Sequence, residues 1–419
     1  MNSIEKAHVI DLQEWRLHGL VVLPSIFGMM LLAIHPYALG VMFEPLEQEF
    51  GWTRSQISAG PLVTSLVALI LSPFGGRAVD KYGPRVIALI GIPAFAGALA
   101  LISTAGPSIY SWLALYALLA VALIFIFPTV WTAAVAERFF NNRGLALAIT
   151  LSGTGLAAAI VPFAASRLIE AYGWRGAYVG MGATAFIFIF PLVLMLFARD
   201  RPPSGRMEEV QINPESQGKL AEYRSAKFFY LTIAALIYSI GSTGLAINAV
   251  PILMGEGFSL LIAAEIVGFI GIGVIVGRIV GGFLLDRMDG RYVAIGCAVA
   301  ALVSAAILLA TVQSTLAASV ACFLLGLAAG AEFDACAYLA TRHFARRSFG
   351  AVFGVVSGLS GFGSGISPLI ANGVYDLTGS YDAVLWGIIP LFLVAGLLFM
   401  ALGPYPDEVT EVEDFEVSI

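Results

Sequence analysis

Blocks of about 20 or more apolar residues recur along the sequence, for example over 20–43 and 383–402. A helix of that length crosses the roughly 30 Å hydrocarbon core of a membrane. The composition agrees, because 59% of the 419 residues are hydrophobic and 12% are charged, about half the charged share of a soluble domain. Backbone groups in lipid must bond within their own segment, so the blocks are predicted to be membrane-spanning helices.

Polar breaks separate twelve predicted spans, which indicates an all-α integral membrane fold of two six-helix bundles. The spans lie near 18–43, 56–79, 85–105, 109–136, 144–169, 175–198, 228–253, 260–285, 292–312, 315–341, 349–373 and 382–402. The predicted units are a cytoplasmic N-terminal segment, the first bundle, a polar linker, the second bundle and an acidic tail, over 1–17, 18–198, 199–227, 228–402 and 403–419. The linker is rich in proline and basic residues, which is typical of a solvated connection.

The positions of the basic residues predict the orientation. With the N-terminus in the cytoplasm, all but four of the 22 Lys and Arg residues lie on the cytoplasmic side. Three of the four exceptions fall outside, and Arg278 falls within a span. The positive-inside rule therefore places both termini in the cytoplasm, and we expect a multi-pass protein of the cell inner (plasma) membrane.

A repeat at an offset of 206 residues relates the two halves. The residues that recur at this offset are Gly75, Gly76, Asp80, Lys81 and Arg85 in the first half and Gly281, Gly282, Asp286, Arg287 and Arg291 in the second. One offset kept across a whole half indicates duplication of a six-helix unit in parallel orientation.

The segment 75–85, Gly-Gly-Arg-Ala-Val-Asp-Lys-Tyr-Gly-Pro-Arg, follows the second span and resembles the signature loop of the major facilitator superfamily. Gly76 is expected to let two helices approach closely, and Asp80 to bond helix-end amides and neighbouring arginines. The two copies thus predict a conformational latch; the alternative is loop geometry and an orientation signal. The predicted latch residues are Gly76, Asp80, Arg85, Gly282, Asp286 and Arg287.

Four further segments look like the monocarboxylate transporter branch, with its bacterial relatives and the neighbouring oxalate/formate antiporters. They are 43–57 (Phe-Glu-Pro-Leu-Glu-Gln-Glu-Phe-Gly-Trp-Thr-Arg-Ser-Gln-Ile), 140–147 (Phe-Asn-Asn-Arg-Gly-Leu-Ala-Leu), 172–175 (Tyr-Gly-Trp-Arg) and 376–381 (Asp-Leu-Thr-Gly-Ser-Tyr). The resemblance implies transport of a small carboxylic acid, commonly with a proton, by rocking of the two halves.

The expected partners are therefore a carboxylate substrate, a proton and the lipid bilayer. The sequence shows no metal cluster, nucleophile triad or cofactor motif, so neither an enzyme nor a cofactor-dependent protein is expected. Nothing in it indicates a nucleic acid or an obligate protein partner. The alternatives are an organic anion exchanger or exporter and, from a different class, a transporter-like ligand sensor.

Arg278 lies eight residues, or about 12 Å of helix, before Asp286. An arginine at that depth needs a partner or a water-filled cavity, and its planar fork suits a carboxylate. The surrounding residues resemble the span that carries the family's carboxylate-binding arginine, which implies that role for Arg278. The alternative is a permanent structural ion pair.

Glu332 and Asp334 are the candidate proton-coupling residues. In animal members of the family an aspartate lies one turn before the arginine, whereas here that position is Val274. Glu332 lies about 15 Å of helix before Arg342, a depth comparable with that of Arg278. Residues two apart on a helix point to nearly opposite sides, so we expect at most one carboxyl in the cavity. The alternative is a carboxyl that only packs helices.

His35, Tyr37 and Asn248 complete the predicted substrate-binding set. His35 titrates near neutral pH when unperturbed, and Tyr37 can donate to a carboxylate. Asn248 could bond substrate, or could satisfy backbone freed by Pro251; His35 could equally be an interfacial residue. Because no Lys or Arg occurs between 350 and 373, where the antiporters have a second cationic residue, a monoanionic substrate is favoured.

Overall fold

The computed structural model describes residues 12–197, 223–310, 313–345 and 348–405. Residues 1–11, most of the predicted linker and the tail over 406–419 lie outside the described residues. The helices of the first half are α1 (Leu12–His18), α2 (Val22–Phe50), α3 (Arg54–Tyr82), α4 (Pro84–Leu101), α5 (Ile109–Ile124), α6 (Pro128–Ala136), α7 (Arg143–Leu151) and α8 (Gly153–Leu196). Those of the second half are α9 (Ala226–Gly255), α10 (Leu260–Leu285), α11 (Gly290–Ala310), α12 (Thr315–His343), α13 (Phe349–Thr378) and α14 (Asp382–Ala401).

Eleven helical segments within the described residues are long and apolar enough to cross a membrane. One of them, Arg143–Leu196, has 54 residues, far more than the roughly 20 that one crossing needs. Its backbone leaves the helical conformation at Gly173, where φ is 69° and ψ is 174°. The predicted fifth and sixth spans therefore correspond to the two arms of this kinked segment, and the all-α membrane fold is confirmed.

The duplication seen in the sequence also appears in local structure. Thr53 and Ser259, which are 206 residues apart, both cap a helix by accepting a hydrogen bond from the backbone of the third residue after them. Gly173 and Gly379 share the same offset and both have positive φ, 69° and 72°, a conformation that glycine adopts without steric cost. The two halves thus start and turn their helices at equivalent positions.

The two halves meet along three helix pairs, which are α2 with α9, α3 with α13, and α8 with α10. Within the second half, α10 packs most extensively against α12. We call the end that carries the loops before α3 and after α13 the Arg54 end, and the opposite end, with Asp80 and Asp286, the basic end. The candidate site lies where α2, α3, α9, α10, α12 and α13 converge.

Candidate functional site

A cavity of about 330 Å³ lies between the two halves. Most of its wall is apolar, from side chains such as Leu32, Phe127 and Ile270. Its polar lining residues are His35, Tyr37, Thr64, Ser65, Ser242, Thr243 and Ser364. The structure therefore brings two of the predicted substrate-binding residues, His35 and Tyr37, to one cavity.

His35 is buried, and its ring edge faces Tyr116 with the ring centroids 6.3 Å apart. Its Nδ1 atom has no hydrogen-bond partner among the described residues. Tyr37, two residues further along α2, is close enough to Arg278 to interact with it electrostatically. The cavity is thus in electrostatic reach of the predicted carboxylate-binding arginine.

Arg278 on α10 forms an ion pair with Asp334 on α12. Its Nη1 atom lies 3.4 Å from Oδ1 and 3.5 Å from Oδ2 of the carboxylate. Strong charge-assisted hydrogen bonds are about 2.7–2.9 Å long, so this pair is loosely engaged. The Arg278 side chain is 12% exposed and that of Asp334 is 35% exposed, so the pair is partly accessible, although neither residue lines the 330 Å³ cavity itself.

Close packing of α10 on α12 makes this ion pair possible. A Cβ atom at Gly277 would clash with the backbone oxygen of Leu327 and lie 2.9 Å from its carbonyl carbon. Only glycine lets two helices approach so closely. Because Gly277 directly precedes Arg278, the contact fixes the arginine at the height of Asp334.

Glu332 faces away from Arg278. Its side chain is buried and accepts a hydrogen bond from the Cys336 thiol at 3.1 Å, among residues that include Cys297 and Tyr238. The two carboxyls thus have different partners, Asp334 is the one beside Arg278, and neither lines the cavity.

Asn248 does not line the cavity. Its side-chain amide donates to the backbone oxygen of Gly244 at 2.8 Å, and its Oδ1 accepts from the Tyr381 hydroxyl at 3.2 Å. The prediction of a substrate contact is not met in this conformation, because both ends of the amide are bonded within the protein. The Asn248 side chain also does not satisfy the backbone oxygen of Ile247, which lacks a helical donor because Pro251 has no N–H group.

Sequence reasoning missed a hydrogen-bond network that joins the halves at the Arg54 end. The Asp376 carboxylate accepts from the backbone N–H groups of Arg54 and Ser55 at 3.2 and 3.0 Å, and so caps α3 from the opposite half. Asn372 donates to Ser58 at 2.8 Å, across the same interface. The signal in the sequence was that segments 43–57 and 376–381 both carry family-like motifs.

Arg54 holds the centre of this network. Its guanidinium donates to Glu47 at 2.8 Å and to the Tyr381 hydroxyl at 3.0 Å, and it lies 4.1 Å from the ring centroid of Tyr375. Among the residues that the structure describes, every side-chain hydrogen bond between the halves lies at this end. The halves are thus fastened at one end of the cavity.

The sequence profile of the Major Facilitator Superfamily matches residues 25–368. The chain belongs to the Major Facilitator Superfamily. The superfamily is one of membrane transporters and not of enzymes, and the chain is a multi-pass membrane protein.

Curated relatives within the superfamily carry several names. An MFS-type transporter of Gibberella moniliformis is 30% identical over 58% of this chain and 57% of its own length. Monocarboxylate transporter 13 of Bos taurus is 26% identical over 65% of this chain and 62% of its own length. Riboflavin transporter RibJ of Trypanosoma cruzi is 34% identical over 34% of this chain and 32% of its own length. In each case the chain spans less than two thirds of the relative.

Solved superfamily structures share the fold. The nucleoside transporter NupG superimposes with a TM-score of 0.72 at 13% identity, over 92% of this chain and 100% of that one. A bacterial homologue of the lysosomal transporter Spinster gives a TM-score of 0.69 at 16% identity, over 93% and 97% of the two chains. Both confirm the predicted superfamily fold.

The predicted latch residues of the superfamily loop lie at the basic end. Arg85 donates to the Leu194 oxygen at 2.9 Å, within its own half, and Arg287 stacks on Phe283 and donates to its backbone oxygen at 3.3 Å. Asp80 and Asp286 are exposed. Within the part of the chain that the structure describes, none of these side chains bonds to the opposite half.

The packing role predicted for Gly76 is wrong in this conformation. A Cβ at Gly76 or at its repeat partner Gly282 would meet no atom within 4 Å. The glycine before each one makes the close contact instead: a Cβ at Gly75 would lie 2.8 Å from Ile124, and one at Gly281 would lie 2.6 Å from the Ala331 Cβ. A helix turns 100° per residue, so adjacent glycines face different neighbours.

Glu14, in the segment predicted to be a plain cytoplasmic N-terminus, makes a further contact that the sequence did not suggest. Its carboxylate accepts from the backbone N–H groups of Phe140, Asn141 and Asn142 at 2.5, 3.2 and 2.8 Å. Trp15 packs on Phe139 with the ring centroids 5.0 Å apart. Helix α1 is thereby fixed to the loop before α7, which contains the family-like segment 140–147.

Proposed function

We propose that the chain moves a small monocarboxylate across the membrane together with a proton, by alternating access. The observation that supports this most is the loosely engaged Arg278–Asp334 pair beside a cavity between two halves that are fastened at one end. A cation held at membrane depth by an exchangeable carboxylate suits a substrate that brings its own carboxylate.

Substrate and Asp334 compete for the same guanidinium in this mechanism. A substrate carboxylate approaching Arg278 can form two parallel hydrogen bonds, which improves on the 3.4 and 3.5 Å contacts of Asp334. The displaced Asp334 then has no cation, and an unpaired carboxylate at this depth is costly. Taking up a proton removes that cost, so binding of the acid and of the proton become linked.

Rocking of the halves would carry the bound acid across. Opening requires that the bonds from Asp376 and Asn372 across the interface break, while the superfamily loops at the basic end close and form the predicted latch. The positive-inside rule assigns the basic end, and with it both termini, to the cytoplasm. The structure then corresponds to a state closed towards the outside of the inner membrane.

Uptake into proteoliposomes under an imposed pH gradient tests this proposal. We expect labelled benzoate or lactate to accumulate when the outside is acidic, and Arg278→Ala to reduce uptake about tenfold or more, because a charged hydrogen-bond pair is lost. Arg167→Ala is the matched control, since Arg167 is an exposed arginine that pairs with Glu170.

The outcomes separate the candidate functions. Accumulation that ignores the pH gradient would contradict proton coupling. Uptake that opposing substrate accelerates, whatever the gradient, would favour the organic anion exchanger. Binding without any uptake would favour the ligand sensor.

A further inference from the structure

We propose that the substrate is an elongated monocarboxylic acid with an apolar body and a hydroxyl or carbonyl group at its far end. This inference rests on the proposed function and specifies its substrate class. The carboxylate binds Arg278, the body fills the cavity, and the far polar group bonds a set of side chains from both halves.

The position of Arg278 relative to the cavity sets the length of the ligand. Ile270 lines the cavity, and Arg278 lies eight residues further along α10, which is about 12 Å of helix rise and about 80° around the helix axis. An arginine side chain on a helix leans back towards its N-terminus, so Arg278 leans towards the cavity. A ligand that reaches from the guanidinium into the cavity must be longer than a two- or three-carbon acid.

The cavity volume agrees with a larger ligand. Its 330 Å³ equals the share of about eleven molecules of liquid water at about 30 Å³ each. Pockets for drug-sized ligands begin near 300 Å³. A short acid held at Arg278 would leave most of this apolar volume without contacts, whereas an aromatic or branched body would fill it.

Hydroxyl groups from both halves meet in the cavity wall. Thr243 on α9 donates to Ser364 on α13 at 3.1 Å, and the Ser364 hydroxyl keeps its own proton to donate. Ser65 on α3 packs directly against Gly365, the neighbour of Ser364. Thr64 is not available as a donor, because its hydroxyl donates to the Pro61 oxygen at 2.7 Å.

His35 adds an independent reason to expect a polar ligand group. It lines the same cavity, is 8% exposed, and its Nδ1 atom has no partner among the described residues. A buried polar atom without a hydrogen bond is unfavourable, and a ligand hydroxyl, which both donates and accepts, satisfies either tautomer of the ring.

The charge of the lining limits the ligand to one carboxylate. Of the lining residues, none is Lys, Arg, Asp or Glu. A second carboxylate inside this wall would be buried without a cation, which is strongly unfavourable. The far group is therefore a neutral hydrogen-bonding group.

Thermal stability of the detergent-purified protein with a matched pair of acids tests the inference. The probes are phenylpropanoate and its para-hydroxy derivative, which differ by one hydroxyl, and acetate as a short acid. We expect the hydroxylated acid to bind about two- to tenfold more tightly than phenylpropanoate, the range for one hydrogen bond, and both to bind more tightly than acetate.

Two double variants show whether the cavity hydroxyls are responsible. Thr243→Val combined with Ser364→Ala removes both hydroxyls of the bonded pair and should abolish the preference for the hydroxylated acid. Thr232→Val combined with Ser360→Ala is the control, because both residues lie outside the cavity lining on the same two helices, α9 and α13. It should keep the full preference.

Failure of this inference differs from failure of the proposed function. If all three acids bind through Arg278 with equal affinity, or if the double variant of Thr243→Val and Ser364→Ala keeps the preference, the inference is wrong and the carboxylate transporter stands. If no acid binds, or if Arg278→Ala binds them as well as the unchanged protein does, the proposed function fails and the inference with it.

Discussion

Two carboxyl side chains two residues apart on α12 have different surroundings. Asp334 lies 3.4 Å from the Arg278 guanidinium and is 35% exposed. Glu332 is buried against the Cys336 thiol, a weak donor. A carboxylate that can exchange its cation for substrate is suited to couple proton and substrate, and Asp334 is the one in that position.

We predict that Asp334→Asn uncouples transport from protons. The variant keeps Arg278 charged but unpaired, which favours an incoming carboxylate, so exchange of labelled for unlabelled benzoate should stay within about threefold of the unchanged protein. Accumulation driven by a pH gradient should disappear, because the group that takes up the proton is gone. Both quantities are measured in the same proteoliposomes.

Glu332→Gln is the matched control for this prediction. It removes a neighbouring carboxyl on the same helix that has no contact with Arg278, and pH-driven accumulation should persist. Loss of accumulation in Glu332→Gln with retention in Asp334→Asn would contradict the assignment and make Glu332 the proton carrier.

The depth of each polar residue in the membrane was predictable from the sequence, whereas its hydrogen-bond or ion-pair partner was predictable only in part. Counting helix rise placed Arg278 and the α12 carboxyls at similar heights, and the ion pair with Asp334 bears this out. The side on which each carboxyl lies followed from their spacing, but the choice between them depends on how α12 is rotated towards α10. The partner of Asn248, the Tyr381 hydroxyl, was not predictable either, because it lies 133 residues away in the sequence.

At the scale of helices, the crossing of α10 and α12 sets the geometry of the site. A Cβ at Gly277 would clash with the Leu327 backbone, and a backbone cannot yield as a flexible side chain can. One at Gly282, on the same helix, would meet nothing within 4 Å. Gly277 is therefore required for the close packing of α10 on α12, whereas Gly282 has room for a larger side chain.

We predict that Gly277→Ala destabilises the protein by about 1–3 kcal/mol, the cost of overpacking, and weakens carboxylate binding because α12 moves away and takes Leu325 and Ala329 out of the cavity wall. Gly282→Ala should leave the melting temperature within about 1 °C in this conformation. Thermal unfolding in detergent, with and without benzoate, measures both effects. Equal melting temperatures for the two variants would show that the close contact at Gly277 does not hold the helices together.

The helices themselves were largely predictable, since twelve apolar blocks and one repeat offset determine them. The helix caps at Thr53 and Ser259 keep the same offset of 206 residues, although nothing in the sequence had singled them out. The packing glycine was predicted one position too late, at Gly76 in place of Gly75. A sequence shows that a glycine pair is present but not which of the two faces the neighbouring helix, because that depends on the rotation of the whole helix.

For the molecule as a whole, two sequence segments that seemed unrelated prove to be the two sides of one closure. Segment 43–57 contains Arg54, and segment 376–381 contains Asp376 and Tyr381, which bind it from the other half. Asp376 caps the N-terminus of α3 only while the halves are together. The closure therefore contributes to the balance between the two end states of the transporter.

We predict that Asp376→Asn shifts the protein towards opening at the Arg54 end. The carboxylate at a helix N-terminus contributes about 0.3–1 kcal/mol when exposed, so the open fraction should rise about two- to fivefold. Ser58→Cys reports it, because Ser58 is fully buried in this conformation and a thiol there reacts with a membrane-impermeant maleimide only when the halves part. The three native cysteines are buried in the second half and serve as the background.

Asp382→Asn is the control for the closure, because Asp382 is an exposed carboxylate of the same region with no bond to the first half among the described residues. Ser58→Cys should be labelled at the same rate in the presence of Asp382→Asn as it is without that second substitution. Faster labelling from outside intact cells in Asp376→Asn would also place the Arg54 end outside, as the distribution of basic residues implies. Labelling that is equally slow in both variants would show that the Asp376 cap does not hold the halves together, and labelling only in inverted vesicles would reverse the proposed orientation.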